Sequence, residues 1–267
     1  MTMAAAVTSG NVECVHLLLE DGAVVEDDLF GLACQKGHTE IVRLMLSYGQ
    51  SAAMYDSAFQ DACFFGHEEI VRMLLERGVN PSANVASSAI NIAIEGYNTK
   101  IVCLLMDVLS KKGLNSALWC ACRFGNTEIV RLLLDLPLER GVNPAAGNND
   151  ALQCASANGH MEVVRMLLDL PQERGVDPAA VENAAIREAC KHGHLGVVRL
   201  LLDLPLERGV NPAAHHNESL CAATRNGHAN IVRLLLNLPP ERGIDANDGD
   251  EFNGGVGGLG WGYDDDW

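Results

Sequence analysis

The phrase NGHMEVVRMLLDLPQERGVDPAA, residues 158–180, returns almost unchanged at 124–146 and 192–214 and in part at 226–246. A chain that repeats one phrase has copied one structural unit, and this constrains the fold more than any other feature. The second residue of the apolar pair that opens the "VVRLLL" phrase falls at Val15, Val42, Val71, Val102, Val130, Val164, Val198 and Val232, at spacings of 27, 29, 31, 28, 34, 34 and 34 residues. Self-similarity in this range belongs to stacked repeats rather than to a single globule.

Each unit holds two helical patterns. The first, A(L/F/I)xxAxxxG, runs from Ala58-Phe59 to Gly66 and from Ala151-Leu152 to Gly159. Its apolar residues recur every four positions and share one face, and the glycine stops the helix at the position just past its end. The second, Glu128 to Leu134 in one copy, is apolar round most of its circumference and predicts burial on more than one side. Two such helices cannot cover both apolar faces by themselves. Stacking on neighbours does so, and the expected fold class is all-α, an α-solenoid of about eight helix-turn-helix units. The apolar residues are 48% of the chain and aromatic residues only 5%, so aliphatic packing between helices carries the core.

The stretch DALQCASANGHMEVVRMLL, residues 150–168, resembles the ankyrin repeat, whose signature is T-P-L-H-x-A followed by a Gly-His turn and an apolar second helix. Leu152, Ala155, Gly159 and His160 fill the matching positions, and the turn recurs as Gly37-His38, Gly66-His67, Gly193-His194 and Gly227-His228. Ala151 stands where proline is usual and Gln153 where histidine is usual. The early units are short for the β-hairpin finger typical of the family, so reduced, blunt loops are expected. Near-copied arrays of this kind resemble those of protists, large DNA viruses and intracellular bacteria. The units are placed near 2–22, 27–49, 55–78, 85–113, 115–141, 149–175, 183–209 and 217–243, making a repeat domain over 1–244 with a tail at 245–267. The fourth unit is divergent: Gly96 falls one residue early and Asn98 replaces the turn histidine after Tyr97. In the later units Pro137, Pro171, Pro205 and Pro239 end the second helix, and each is expected at the first position of a further short turn closed by Gly141, Gly175, Gly209 or Gly243.

The formal net charge is −16. Duplex nucleic acid and anionic membrane surfaces repel such a molecule, so no nucleic-acid partner and no membrane association are expected. No stretch approaches 18 apolar residues, and the first residues lack the basic start of a secretory signal. An intracellular chain follows, cytoplasmic or nuclear, or delivered into a host cell, and monomeric.

No residue set reads as catalytic. Cys34, Cys63, Cys122 and Cys190 occupy one repeat position and Cys120 and Cys154 another, which predicts small reduced core residues. Cys120 and Cys122 point about 200° apart on a helix and do not chelate one ion. His38, His67, His160, His194 and His228 share one position, which predicts a common structural task at the turn rather than acid–base chemistry. The G-x-G-x-x-G at Gly255, Gly257 and Gly260 has neither the strand nor the helix that a dinucleotide site needs. Cofactors, metals and enzymatic activity are accordingly not expected. Arg43, Arg72, Arg131 and Arg165, three residues after Glu40, Glu69, Glu128 and Glu162, suit a solvated outer ladder.

What remains is a protein-binding scaffold. The resemblance implies that the two residues before each turn glycine approach the concave surface formed by the first helices. Phe64, Phe65, Arg123, Phe124, Lys191, His192 and Arg225 stand there, with Trp119 on the same helix as Arg123. They either bind a partner protein, for which an acidic–aromatic peptide is suited, or pack between repeats. The tail holds seven acids and no base. Its composition fits a disordered segment, but Phe252, Trp261, Tyr263 and Trp267 also fit a cap for the last repeat or a motif that binds a basic protein or the chain's own concave face.

Overall fold

The structure, a computed structural model, describes residues 2–48, 52–78, 83–242 and 244. The tail and Gly243 lie outside the described residues. The chain forms α1 (Met3–Ser9), α2 (Val12–Glu20), α3 (Asp27–Lys36), α4 (Thr39–Ser47), α5 (Ala52–Phe64), α6 (Glu68–Glu76), α7 (Ala83–Glu95), α8 (Thr99–Met106), α9 (Lys111–Phe124), α10 (Thr127–Leu134), α11 (Ala146–Ala157), α12 (Met161–Leu168), α13 (Ala180–Lys191), α14 (Leu195–Leu202), α15 (Ala214–Arg225) and α16 (Ala229–Leu236). No strand occurs among the described residues, in keeping with the blunt loops expected above.

Contacts divide the chain into two compact units, one through Ala146 and one from Gly147 on. In the first, α1, α3, α5, α7 and α9 pack side by side in that order, α2, α4, α6, α8 and α10 form a second row, and each first helix lies against its own second helix. In the second unit α13 packs on α15, and α12, α14 and α16 follow one another. Equivalent slots fill the core. Phe30, Phe59, Ile90 and Leu118 are buried at one slot of the first unit, and Leu152, Ile186 and Leu220 at the same slot of the second. Each contributes about 1.5–3 kcal/mol by leaving water.

The turn between the two helices of a pair is a Schellman motif. His38 N–H donates to the Ala33 carbonyl at 3.0 Å and Gly37 N–H to the Cys34 carbonyl at 3.2 Å, with Gly37 left-handed at φ 75°. The pattern satisfies carbonyls that the helix end would otherwise strand. The histidine ring does something the sequence does not announce. It bonds the preceding repeat rather than its own turn: His67 Nε2 meets the Gln35 carbonyl at 2.9 Å, His194 Nε2 that of Ala157 at 2.9 Å, and His228 Nε2 that of Lys191 at 3.0 Å. A carbonyl only accepts, so each Nε2 carries the proton. Each ring thereby lies over the preceding turn glycine. A methyl at Gly37 would stand 2.5 Å from His67, and one at Gly193 2.6 Å from His228.

A second fastener links repeats on the other row. After α10, α12, α14 and α16 the inserted residues make short 3-10 turns at Leu138–Arg140, Gln172–Arg174, Leu206–Arg208 and Pro240–Arg242. Pro171 and Pro205 stand at the N-cap, with φ near −54° and extended ψ, one position earlier than expected; Gly175 and Gly209 close the turns as left-handed residues. The turn aims its arginine at the end of the preceding repeat's second helix. Arg140 donates to the Met106 carbonyl, Arg208 to Leu168 at 3.4 Å, and Arg242 to Leu202 at 2.7 Å and Leu204 at 3.0 Å. Arg77 does the same at the Leu46 carbonyl, 3.5 Å away. A cation at a helix C-terminus is favoured by the dipole and by the unpaired carbonyls. Arg242→Ala is expected to cost about 1–2 kcal/mol in urea unfolding, with lysine, which lacks the planar fork, restoring only part.

Ahead of α11, α13 and α15 proper the backbone makes a turn of left-handed helix: Gly147, Asn148 and Asn149; Val181, Glu182 and Asn183; His215, His216 and Asn217. Non-glycine residues are disfavoured there, and the surroundings hold them. Asn149 Oδ1 accepts from Asp177 N–H at 2.9 Å and Asn183 Oδ1 from Asn211 N–H at 2.7 Å, each one repeat later. Gln153 donates to the Asn148 carbonyl at 2.7 Å, and Arg187 to those of Glu182 and Val181 at 3.0 and 3.2 Å. Gln153, in the usual histidine position of the resemblance, therefore braces this turn.

Candidate protein-binding surfaces

In the first unit the fourth repeat explains its own divergence. Asn98 N–H donates to the Ala93 carbonyl at 2.8 Å and Tyr97 N–H to the Ile94 carbonyl at 3.0 Å. This is the same Schellman pattern, so the glycine slot is held by Tyr97, at φ 55°, and not by Gly96. A left-handed tyrosine costs about 1–2 kcal/mol relative to an unstrained backbone. Its hydroxyl donates to the Phe124 carbonyl at 2.8 Å, reaching forward one repeat where the histidines reach back. The fifth repeat has no histidine to reach back: Asn126, in that slot, caps its own helix by accepting from Ile129 N–H at 3.2 Å.

Tyr97 is 60% exposed, although its backbone conformation favours glycine. It is flanked in register by the other aromatic positions. Phe64 and Phe65, at the end of α5, are 61% and 45% exposed, and their rings meet edge to face at 4.9 Å. Trp119 and Phe124 on α9 are half-buried and Arg123 is exposed, its guanidinium 5.5 Å from the Trp119 ring centre and 5.7 Å from that of Phe124. None of these rings is in the core. Turns of successive repeats stand about 10 Å apart, so repeats three to five carry an aromatic ledge with one stacked cation. Sequence reasoning named Phe64, Phe65, Trp119, Arg123 and Phe124. It missed Tyr97, whose signal is an aromatic residue where every neighbouring repeat has the turn glycine.

A groove of about 460 Å³ between α3 and α5 was also missed. Asp27, Asp28 and Asp61 line it with Gln35 and Ser57, and burial pushes the Asp61 carboxyl up from its usual range. Gly31 leaves the space open, at the register where α9 has Trp119.

In the second unit the named basic residues come together. A cleft of about 290 Å³ between α13 and α15 is lined by Arg187, Lys191 and Arg225 with Glu188, Glu218, Ala222 and Asn226. Lys191 pairs with Glu188 at 3.1 Å, and His192 Nε2 lies 3.4 Å from the same carboxylate. Arg225 stands 3.8 Å from Glu218. These exposed pairs orient the cations but are individually weak.

The residues that could suggest chemistry sit in structural roles. Burial pushes the thiols of Cys34, Cys63 and Cys190 up to about 12, with the Asp61 charge adding to the effect at Cys34. A shift from 9 cuts the reactive thiolate about a thousandfold. Brief alkylation at pH 8 with mass-spectrometric mapping is expected to label exposed Cys103 while these three stay unmodified. Because the folded-state pKa is raised, their contribution to stability is complete below pH 9 and is lost as pH rises toward 12. Among the described residues no group of three or more His, Cys, Asp or Glu could hold a metal ion, and no helix is long and apolar enough to cross a membrane. Three of the four expected rungs of the outer charge ladder are present and exposed, with Arg43–Glu40 at 3.5 Å, Arg72–Glu69 at 3.6 Å and Arg165–Glu162 at 3.8 Å, whereas Glu128 accepts from the Thr99 hydroxyl at 3.1 Å.

A family model described as "Ankyrin repeats (3 copies)" matches residues 2–85, 89–182 and 171–250. The chain belongs to the ankyrin-repeat family. Its fold is similar to the crystal structure of the human ASB11 ankyrin repeat domain, with a TM-score of 0.51 and 18% identity over 73% of this chain and 96% of that one. A comparison with curated protein sequences finds no match. Ankyrin repeats generally serve as protein–protein interaction scaffolds.

Proposed function

We propose that this ankyrin array is a non-catalytic scaffold that captures a partner protein through the side of the stack formed by its first helices and their turns. The ledge of Phe64, Phe65, Tyr97, Trp119, Arg123 and Phe124 supplies the anchor. The observation that carries the reading is Tyr97. A glycine would suit its turn better, yet an exposed aromatic ring is held there, and backbone strain of this kind gathers at functional sites. Aromatic and arginine side chains dominate binding energy at interfaces, and a stacked guanidinium beside them suits an extended partner segment that combines aromatic and acidic side chains.

The test is capture of a partner by the full chain, followed by the paired variants Phe64→Ala and Trp119→Ala. Retention of a partner selected by the wild-type chain should fall at least tenfold. Unchanged retention by both variants would remove the ledge from the reading. A second reading, a decoy whose acidic tail engages a basic protein, rests on the seven acids of 245–267. It requires that deleting those residues abolish capture, whereas a ledge binder keeps its partner.

A further inference from the structure

We propose that the chain's own segment 261–267, WGYDDDW, docks in the cleft between α13 and α15 and competes there with any acidic–aromatic segment of a partner. The proposal rests on the binding reading above and adds its regulation.

Three observations meet here. The first is charge. The cleft presents Arg187, Lys191 and Arg225 against two carboxylates, in a chain whose net charge is −16. Glu188 and Glu218 each engage one cation, but Lys191 has three N–H donors and Arg225 five. Donors are left for a second carboxylate. Lys191 and Arg225 are also well exposed, 50% and 70% at the side chain. Asp264, Asp265 and Asp266 are consecutive acids with no base nearby in the segment.

The second is chemistry beyond charge. Trp261, Tyr263 and Trp267 bracket the three acids. Aromatic faces stack on guanidinium groups, and the cleft offers two of these, with Ala222 also in its lining.

The third is reach. The last described residue is Ile244, two positions after Arg242, whose guanidinium bonds the Val210 carbonyl at 3.4 Å just ahead of α15. The described chain therefore ends near the beginning of α15, and the cleft runs along that helix to Asn226. The eight residues of α15 proper, Glu218 to Arg225, span about 12 Å. A Gly-rich chain of about twenty residues, the distance from Ile244 to Asp264, has a typical end-to-end span of about 25 Å. The linker is longer than this span, so it reaches the whole cleft and keeps the segment at a high local concentration.

The test uses the full chain carrying Trp119→Phe, so that Trp261 and Trp267 are the remaining tryptophans, and reads acrylamide quenching of their emission. Docked rings are shielded. The quenching constant should rise about threefold in 1 M salt, which screens the charges, and equally in Lys191→Glu with Arg225→Glu. Asp264→Asn with Asp265→Asn and Asp266→Asn should give the same rise without touching the repeats. Reversing both sides, Asp264→Lys, Asp265→Lys and Asp266→Lys on the Lys191→Glu, Arg225→Glu background, should restore the shielding. Quenching equal to that of a free 245–267 peptide in the starting protein overturns the proposal. So does shielding that survives both the charge reversals and the salt, which would place the rings elsewhere. Phe64→Ala should leave the quenching unchanged, so failure of the ledge and failure of the internal competitor read out separately.

Discussion

Gly193→Ala is expected to destabilise the array by about 2–4 kcal/mol, because it combines a left-handed alanine with a steric collision. The backbone term follows from φ 82° at this position. The collision follows from the ring of His228, which a methyl would approach to 2.6 Å. Gly227 separates the two. It occupies the same position one repeat later, also left-handed, and no described atom lies within 4 Å of a methyl built there. Gly227→Ala should therefore show the backbone cost alone, about 1–2 kcal/mol. Adding His228→Ala to Gly193→Ala should recover the steric part while losing the bond to the Lys191 carbonyl. Urea unfolding of the four proteins measures this. Equal costs at Gly193 and Gly227 would mean that the ring does not press on the turn.

Tyr97→Gly should separate stability from binding. Glycine relieves about 1–2 kcal/mol of left-handed strain and gives up a hydroxyl-to-carbonyl bond worth about 1 kcal/mol, so the midpoint of unfolding should hold or rise slightly. Partner affinity should drop by at least about 30-fold, the loss of some 2 kcal/mol typical of an aromatic anchor. Tyr97→Phe keeps the ring and the strain and loses only the bond to Phe124, so it should bind within a few-fold of wild type and unfold more easily. A Tyr97→Gly protein that binds its partner normally would show that the strained ring serves the turn rather than the surface.

The architecture was legible because its periodic residues act locally. Ala62 and Gly66, or Ala155 and Gly159, state a helix and its stop within five positions, and the prolines state where the second helix ends. Links to a distant backbone carbonyl were not legible. Nothing near Arg242 names Leu202, nor does His67 name Gln35, since a carbonyl is present at every residue and leaves no mark in the sequence. The left-handed turn at Val181–Asn183 was hidden for a different reason. Valine argues against that backbone, and what overrides it is Asn183 and Arg187, two polar side chains whose partners appear only in three dimensions. On the surface, Phe64 and Arg123 were found from repeat register. Tyr97 is not legible in this way, because the missing glycine of its repeat obscures what has taken its place.

The histidine and arginine fasteners share one property: each runs from a side chain in one copy to a backbone carbonyl in the copy before it. A carbonyl exists whatever residue bears it. A duplicated 34-residue block in the later part of the chain would thus bring its own histidine and arginine and find ready acceptors in whatever precedes it, with no matching change needed there. Such a chain can lengthen by copying, and its later blocks can remain near-identical while their exposed residues diverge.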